Sequence, residues 1–341
     1  MAGRRQEAGQ SPMKAAQLVA PGRFEIVEVP LPTVGAGEVL VAMQRASICG
    51  SDLHAVFGAH PRAVKSMAPG APGHEGIGEV VESRAEPFSP GDRVLTVPMP
   101  GSAGCYAEYQ VVGADFLVRL PEEGDTARLL LAQQLGTTVY SFRRYWPAGL
   151  DAEGATAAIV GAGSAGLFLL QLVKLAGFAQ VVVCDLDQNR LAVAATLGAD
   201  VMAHAPSDSF VEAVRRVTGG VGAELVVEAT GLDQRRADCV EAARYGGRIG
   251  FFGLPEHAGP VPFPLARAFR RACTIEMAGN AQLEPGLRSF RESLDLISSG
   301  AITVEHMLEP RFSLLHVQEA FEAARDHVGV KTSVDLTGAP E

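Results

Sequence analysis

The strongest constraint on this chain lies between residues 156 and 252, where short β-branched and apolar runs alternate with helical stretches. Thr156–Val160, Gln180–Cys184, Val201–Ala203, Leu225–Glu228 and Arg248–Phe252 read as strands separated by helices, a βαβ series that implies a parallel sheet. The first crossover starts at Gly161-Ala162-Gly163-Ser164-Ala165-Gly166, at a strand end, and opens a helix predicted over Leu167–Gly177. Gly161 permits the tight turn, Gly163 lets backbone approach a pyrophosphate, and Gly166 allows close helix–strand packing. The helix N-terminus would present free N–H groups to the phosphates. The next strand ends at Asp185, nineteen residues beyond Gly166, where a carboxylate can accept hydrogen bonds from both ribose hydroxyls. Such a carboxylate repels a 2′-phosphate, so the pattern favours NAD over NADP. A glycine-rich turn beside a solvated aspartate is the alternative.

Ahead of this region the texture differs. Residues 14–30, 38–48, 77–82, 92–97 and 106–112 show alternating or β-branched apolar positions, with Ser89-Pro90-Gly91-Asp92 as a turn, as in an antiparallel meander. Arg128 to Arg144 reads as a helix, ended by Trp146-Pro147-Ala148-Gly149. Two more helical segments, 287–299 and 316–327, precede a last strand at Thr332–Leu336. A length of 341 residues suits two domains, and 47% hydrophobic residues can build their cores. The first dozen residues lack an apolar stretch and read as a flexible extension, not a secretory signal. Residues 155–173 carry no charge and would attract a membrane reading, but the glycine pattern interrupts them. A net charge of −10 argues against nucleic acid or an anionic membrane as the main partner. Five cysteines, far apart in sequence, make no disulfide framework and point to a reducing cytoplasm.

Upstream, Cys49-Gly50-Ser51-Asp52-Leu53-His54 is followed by Gly73-His74-Glu75-Gly76-Ile77-Gly78, with His74 25 residues after Cys49. Singly, such residues are most often packing or solvated groups. Together they offer thiolate, imidazole and carboxylate, the donors zinc uses in catalytic sites with an open position. With these motifs the chain resembles the zinc-dependent medium-chain alcohol dehydrogenases, in particular the polyol and sugar dehydrogenase branch. CGSDLH, GHEGIGEV, PGDRV, YAEY, GAGSAG, LGAD at 197–200, EATG at 228–231 and Gly246-Gly247-Arg248 come in that family's order, over about Lys14 to Leu336.

The resemblance implies an α/β protein with a β-rich GroES-like catalytic domain and a Rossmann, doubly wound parallel-sheet domain inserted into it. The expected boundaries are 13–145 and 281–341 for the catalytic parts and 146–280 for the NAD-binding domain. It implies one catalytic Zn2+ held by Cys49 and His74, with Glu75 as a ligand or a nearby exchanging carboxylate. Asp52 would accept a hydrogen bond from the far ring nitrogen of His74. Ser51 would meet the substrate hydroxyl and start a proton relay, through the cofactor ribose, to His54. NAD would contact Gly161, Gly163, Ser164, Ala165, Gly166, Asp185, Arg190 and Thr230. The activity implied is oxidation of a secondary alcohol, or reduction of the matching ketone, in a homo-oligomer (dimer or tetramer) acting on a small molecule. Zinc would serve as Lewis acid.

Two departures from the family pattern stand out. Only eleven residues separate Val94 from Tyr106, and they hold a single cysteine, Cys105, where many relatives carry four for a structural zinc. A second zinc is therefore not expected. At Leu131-Ala132-Gln133-Gln134-Leu135, where relatives place Cys, Glu or Asp, this chain has amides. Gln133 is the preferred counterpart and Gln134 the alternative, with Glu75 or water sharing the weak amide's position. The loop 55–72, with His60, Arg62 and Lys65, is expected to wall the substrate pocket. A zinc-free reductase of activated C=C bonds and a non-catalytic NAD-binding relative share the fold and stand as rival readings.

Overall fold

The computed structural model describes residues 12–58, 66–99, 102, 104–257 and 259–337. The chain forms two compact units. One comprises residues up to Leu130 together with Arg311–Asp326 and the stretch from Thr332; the other comprises Leu131–Pro310 and His327–Lys331.

The first unit opens with a hairpin, β1 (Met13–Ala20) and β2 (Arg23–Val29), reversed at Pro21-Gly22. It continues with β3 (Glu38–Ser47), helix α1 (Gly50–Phe57), β4 (Glu75–Ser83), β5 (Arg93–Thr96), β6 (Tyr109–Gly113), β7 (Leu117–Arg119) and a short helix α2 (Thr126–Leu130). β3 pairs antiparallel with β4, and β4 with β5, as the alternating pattern anticipates. Their inward positions, among them Val39, Val41, Val80 and Val94, pack with Tyr106 into one core.

The second unit contains α3 (Ala132–Tyr145), β8 (Thr156–Val160), α4 (Ser164–Leu175), β9 (Gln180–Asp185), α5 (Gln188–Thr196), β10 (Val201–His204), α6 (Phe210–Val217), β11 (Ala223–Glu228), α7 (Asp233–Ala242), β12 (Ala243–Phe251), α8 (Leu265–Arg270), β13 (Thr274–Met277) and α9 (Arg288–Ser298). Its six strands are all parallel, in the order β10-β9-β8-β11-β12-β13. Strand order therefore reverses between β8 and β11, and open α/β sheets bind ligands at the carboxyl ends of strands at such a switch point. The charge-free run 155–173 is β8, the glycine turn and α4. No helix among the described residues is long and apolar enough to cross a membrane.

The chain then returns to the first unit through β14 (Arg311–Ser313), α10 (Val317–Arg325) and β15 (Ser333–Asp335). β15 lies antiparallel to β3, and β14 parallel to β15.

Several expectations are corrected. The single helix over 128–144 is two helices, broken at Leu131. Residues 131–145 and 281–310, expected with the catalytic parts, pack within the second unit. α9 lies against α3, where Ser293 Oγ donates to the Ala132 carbonyl and Arg143 donates to Ser289 Oγ. α8 and β13 were not anticipated, because Leu265–Arg270 and Thr274–Met277 are too short to show a period. α1 converts the start of the expected pocket loop to helix. His60, Arg62 and Lys65, like residues 1–11 of the expected extension, lie outside the described residues.

Candidate metal centre and dinucleotide turn

β3 ends at Ser47, and the chain turns through Cys49, whose extended backbone caps α1. Asp52, in the first turn of α1, is buried and accepts the Cys49 N–H at 3.0 Å, which fixes both residues at the helix start. His74 directly precedes β4, and Glu75 is the first residue of that strand, opposite Ser47 in the β3–β4 ladder. Cross-strand partners share one face of a sheet. Accordingly, Ser47 Oγ donates to Glu75 Oε2 in a short buried hydrogen bond.

This local geometry brings one donor atom from each of Cys49, His74 and Glu75 within 4.8 Å of one another. Asp52 Oδ1 lies 3.0 Å from His74 Nδ1, leaving the other ring nitrogen, Nε2, for a metal. Ser51 Oγ lies 3.5 Å from Nε2. Burial disfavours a charged His74 ring, but the Asp52 carboxylate and the neighbouring Cys49 outweigh it and raise its pKa well above the ordinary value. The set of thiolate, imidazole and carboxylate fits zinc. His54 is exposed on the same helix. Gln133 and Gln134 are both buried on α3 and belong to the second unit.

Among the other cysteines, Cys105 is wholly buried, and burial first of all pushes its thiol pKa up, so it behaves as a packing residue. Cys184 and Cys239 are likewise buried, in β9 and α7, with thiols pushed up by burial.

In the second unit, the turn between β8 and α4 has the form its glycines require. Gly161 stands at φ +104°, in the left-handed half of backbone space, beside Ala229 and Thr230 at the end of β11. A Cβ on Gly166 would lie 1.8 Å from the Gly161 carbonyl oxygen, so only glycine fits. At Gly163 a Cβ would meet nothing within 4 Å; open space faces the backbone there. Ser164, Ala165 and Gly166 form the first turn of α4, with N–H groups outside the helix's own ladder. That cradle fits a pyrophosphate.

Asp185 ends β9 beside this turn. Its Oδ2 accepts the Ala162 N–H at 2.5 Å and its Oδ1 the Asp187 N–H at 2.9 Å. Thr230 is held by Glu228, whose Oε1 accepts the Thr230 N–H and hydroxyl and the Gly231 N–H. Arg190 points elsewhere: its guanidinium donates to the carbonyls of Gly329 at 2.9 Å and His327 at 3.5 Å. The sequence reading missed Ser47 and Tyr106 behind the metal donors. The strand register Ser47↔Glu75 is the signal that could have found the first.

Comparison with known proteins identifies the family of this chain. A family model described as the alcohol dehydrogenase GroES-like domain matches residues 35–122, and one described as zinc-binding dehydrogenase matches residues 165–299. The L-threonine 3-dehydrogenase of Bacillus subtilis (strain 168) is 30% identical over 327 residues, spanning 88% of this chain and 91% of that protein. The chain belongs to the zinc-dependent medium-chain alcohol dehydrogenase family. Bos taurus sorbitol dehydrogenase is another relative, 28% identical over 345 residues that span 92% of this chain and 93% of that protein. A solved Sinorhizobium meliloti 1021 protein bound to NADP has the same fold, with a TM-score of 0.82 at 24% identity over 96% of this chain and 100% of that one. In this family member the first unit holds the GroES-like part and the second the Rossmann-like sheet.

Proposed function

We propose that the protein is a zinc-dependent, NAD-linked dehydrogenase that interconverts a secondary alcohol of the polyol, sugar or cyclitol kind with its ketone. The observation that carries this reading is the convergence of Cys49, His74 and Glu75 on one point, with Asp52 behind the histidine. A C=C reductase or a binding-only relative has no use for that donor set. Cys49, His74 and Glu75 would hold the metal. Zinc bound there would supply Lewis acidity to a substrate hydroxyl, and NAD would supply the hydride acceptor.

The chain's own residues then position substrate and move the proton. Asp52 holds the His74 ring by Nδ1, which fixes its tautomer and aim. Ser51, beside Nε2, is placed to accept the proton of the substrate hydroxyl on Oγ while passing its own O–H proton along the relay toward His54. His54, three residues further on the same helix, lies on the same face and is exposed, so it can release the proton to solvent.

NAD over NADP rests on Asp185, set beside the glycine turn, and on Arg190, whose guanidinium serves two backbone carbonyls and is not offered to a 2′-phosphate. A homo-oligomer is supported by the edge strand β13, where Met277 is exposed. Cytoplasmic residence is supported by five free thiols.

The test is a panel of polyols, sugars, cyclitols and simple secondary alcohols, each offered with NAD and with NADP and followed by formation of the reduced nicotinamide. Turnover of a hydroxylated secondary alcohol with NAD, abolished by Cys49→Ser, supports the reading. Turnover that persists undiminished in Cys49→Ser would overturn it.

A further inference from the structure

We infer that Tyr106 is a positioning residue for the metal centre: its phenol anchors the Asp52 carboxylate, and through it the His74 ring. This rests on the proposed metal site and goes beyond it. Tyr106 is wholly buried and lies outside both metal-donor motifs, fifty-seven residues from Cys49 in sequence. Its hydroxyl is 2.7 Å from Asp52 Oδ2 and 3.2 Å from the Ser47 carbonyl. A phenol has one hydrogen to give, and the nearer, charged acceptor takes it.

The consequence is a carboxylate with divided duties. Oδ2 accepts from Tyr106 and from the Cys49 N–H, while Oδ1 is left to face His74 Nδ1. Nδ1 has a second acceptor within reach, the Pro72 carbonyl at 3.2 Å. The N–H therefore has two acceptors within reach of one ring position, and the anchoring of Asp52 holds it on Oδ1. Loss of the phenol leaves Oδ2 with one donor fewer, frees the carboxylate to turn, and lets the ring drift toward Pro72. Nε2 then no longer aims at the point where the Cys49 and Glu75 donors meet.

Tyr106 itself cannot follow such a movement. Its N–H donates to the Gly70 carbonyl at 3.1 Å, its carbonyl accepts from Ala16 at 2.9 Å, and its ring meets Phe321 edge-on with centroids 5.4 Å apart. Packing alone would be served equally by phenylalanine. Phe24 fills a comparable place against the same Phe321 ring. The hydroxyl is thus the part of Tyr106 that packing does not explain.

The experiment measures zinc affinity by chelator competition for wild type, Tyr106→Phe, Asp52→Asn and the double variant, with apo-protein melting alongside. Tyr106→Phe should bind zinc about 10–100-fold more weakly, the range for partners that orient a metal ligand. Its effect should largely vanish in the Asp52→Asn background, because contacting residues acting through one another are not additive. With cobalt in place of zinc, the Tyr106→Phe visible spectrum should shift. A Tyr106→Phe protein that melts lower but binds zinc as tightly as wild type would reduce Tyr106 to a structural role and overturn the inference alone. Full, additive losses in both backgrounds would overturn its route through Asp52. Wild type that takes up no zinc would overturn the metal reading and the inference together.

Discussion

Replacing Gly166 and, separately, Gly163 by alanine should split stability from cofactor binding, because the two glycines serve the turn differently. At Gly166 the new Cβ falls 1.8 Å from the Gly161 carbonyl oxygen and 2.9 Å from its carbon. Carbon contacts settle near about 3.5–4.0 Å, so backbone must move. Gly161 stands at φ +104°, so moving its carbonyl disturbs a backbone conformation on which the turn depends. Overpacking of this kind costs about 1–3 kcal/mol. Alanine's helix preference over glycine returns about 1 kcal/mol at this helical position. The net loss is therefore about 0–2 kcal/mol, with the turn displaced. NADH affinity should fall at least tenfold, about 1.4 kcal/mol. Gly163 has φ −69° and open space around it, so Gly163→Ala should fold as well as wild type or gain about 0.4–1 kcal/mol. Its methyl nevertheless enters the space assigned to the pyrophosphate, and NADH binding should weaken there too. Urea unfolding and NADH fluorescence titration read the two quantities. If Gly166→Ala is more stable and binds NADH unchanged, close packing at the turn is wrong. If Gly163→Ala binds NADH as wild type does, the phosphates lie elsewhere.

Two further predictions use other parts of the second unit. Asp185→Ser removes the carboxylate beside the glycine turn, so the preference for NAD over NADP should narrow in kcat/KM; equal use of both cofactors by wild type would refute the role given to Asp185. His306, in the turn Glu305–Met307, has a buried Nε2 with no hydrogen-bond partner, and burial lowers its pKa against a smaller opposing pull from Glu305. The unfolded chain then binds the extra proton first, so this histidine's contribution to stability is lost as pH falls below about 6.5 toward the lower folded value. The urea midpoint of wild type should drop more than that of His306→Gln between about pH 7.5 and 5.5; parallel drops would show that His306 does not contribute.

Much of this architecture is readable in the sequence because it depends on local pattern. The buried strands β8, β9 and β11 are centred on short apolar runs, and the contact that requires glycine at 166 is with Gly161, five residues away. What escapes is decided by partners distant in sequence. β13 is a four-residue edge strand with a partly exposed pattern, recognisable only from its pairing with β12. The helix α9 joins the second unit because its face fits α3, where the backbone of Gly136 approaches the Phe290 ring. The same holds at the metal centre. CGSDLH and GHEGIG announce the donors, but the hydrogen bond from Tyr106 to Asp52 crosses 54 residues and leaves no trace in spacing.

The central claim, that Cys49, His74 and Glu75 form one catalytic zinc site, is tested most directly by elemental analysis of purified protein after removal of loosely held metal. The remaining cysteines are scattered, and among the described residues Cys105, Cys184 and Cys239 are each buried. Wild type should therefore carry about one zinc per chain, and Cys49→Ser close to none, while NADH binding in the other unit is retained. A wild-type value near two, or a Cys49→Ser protein that keeps its zinc, would contradict the account.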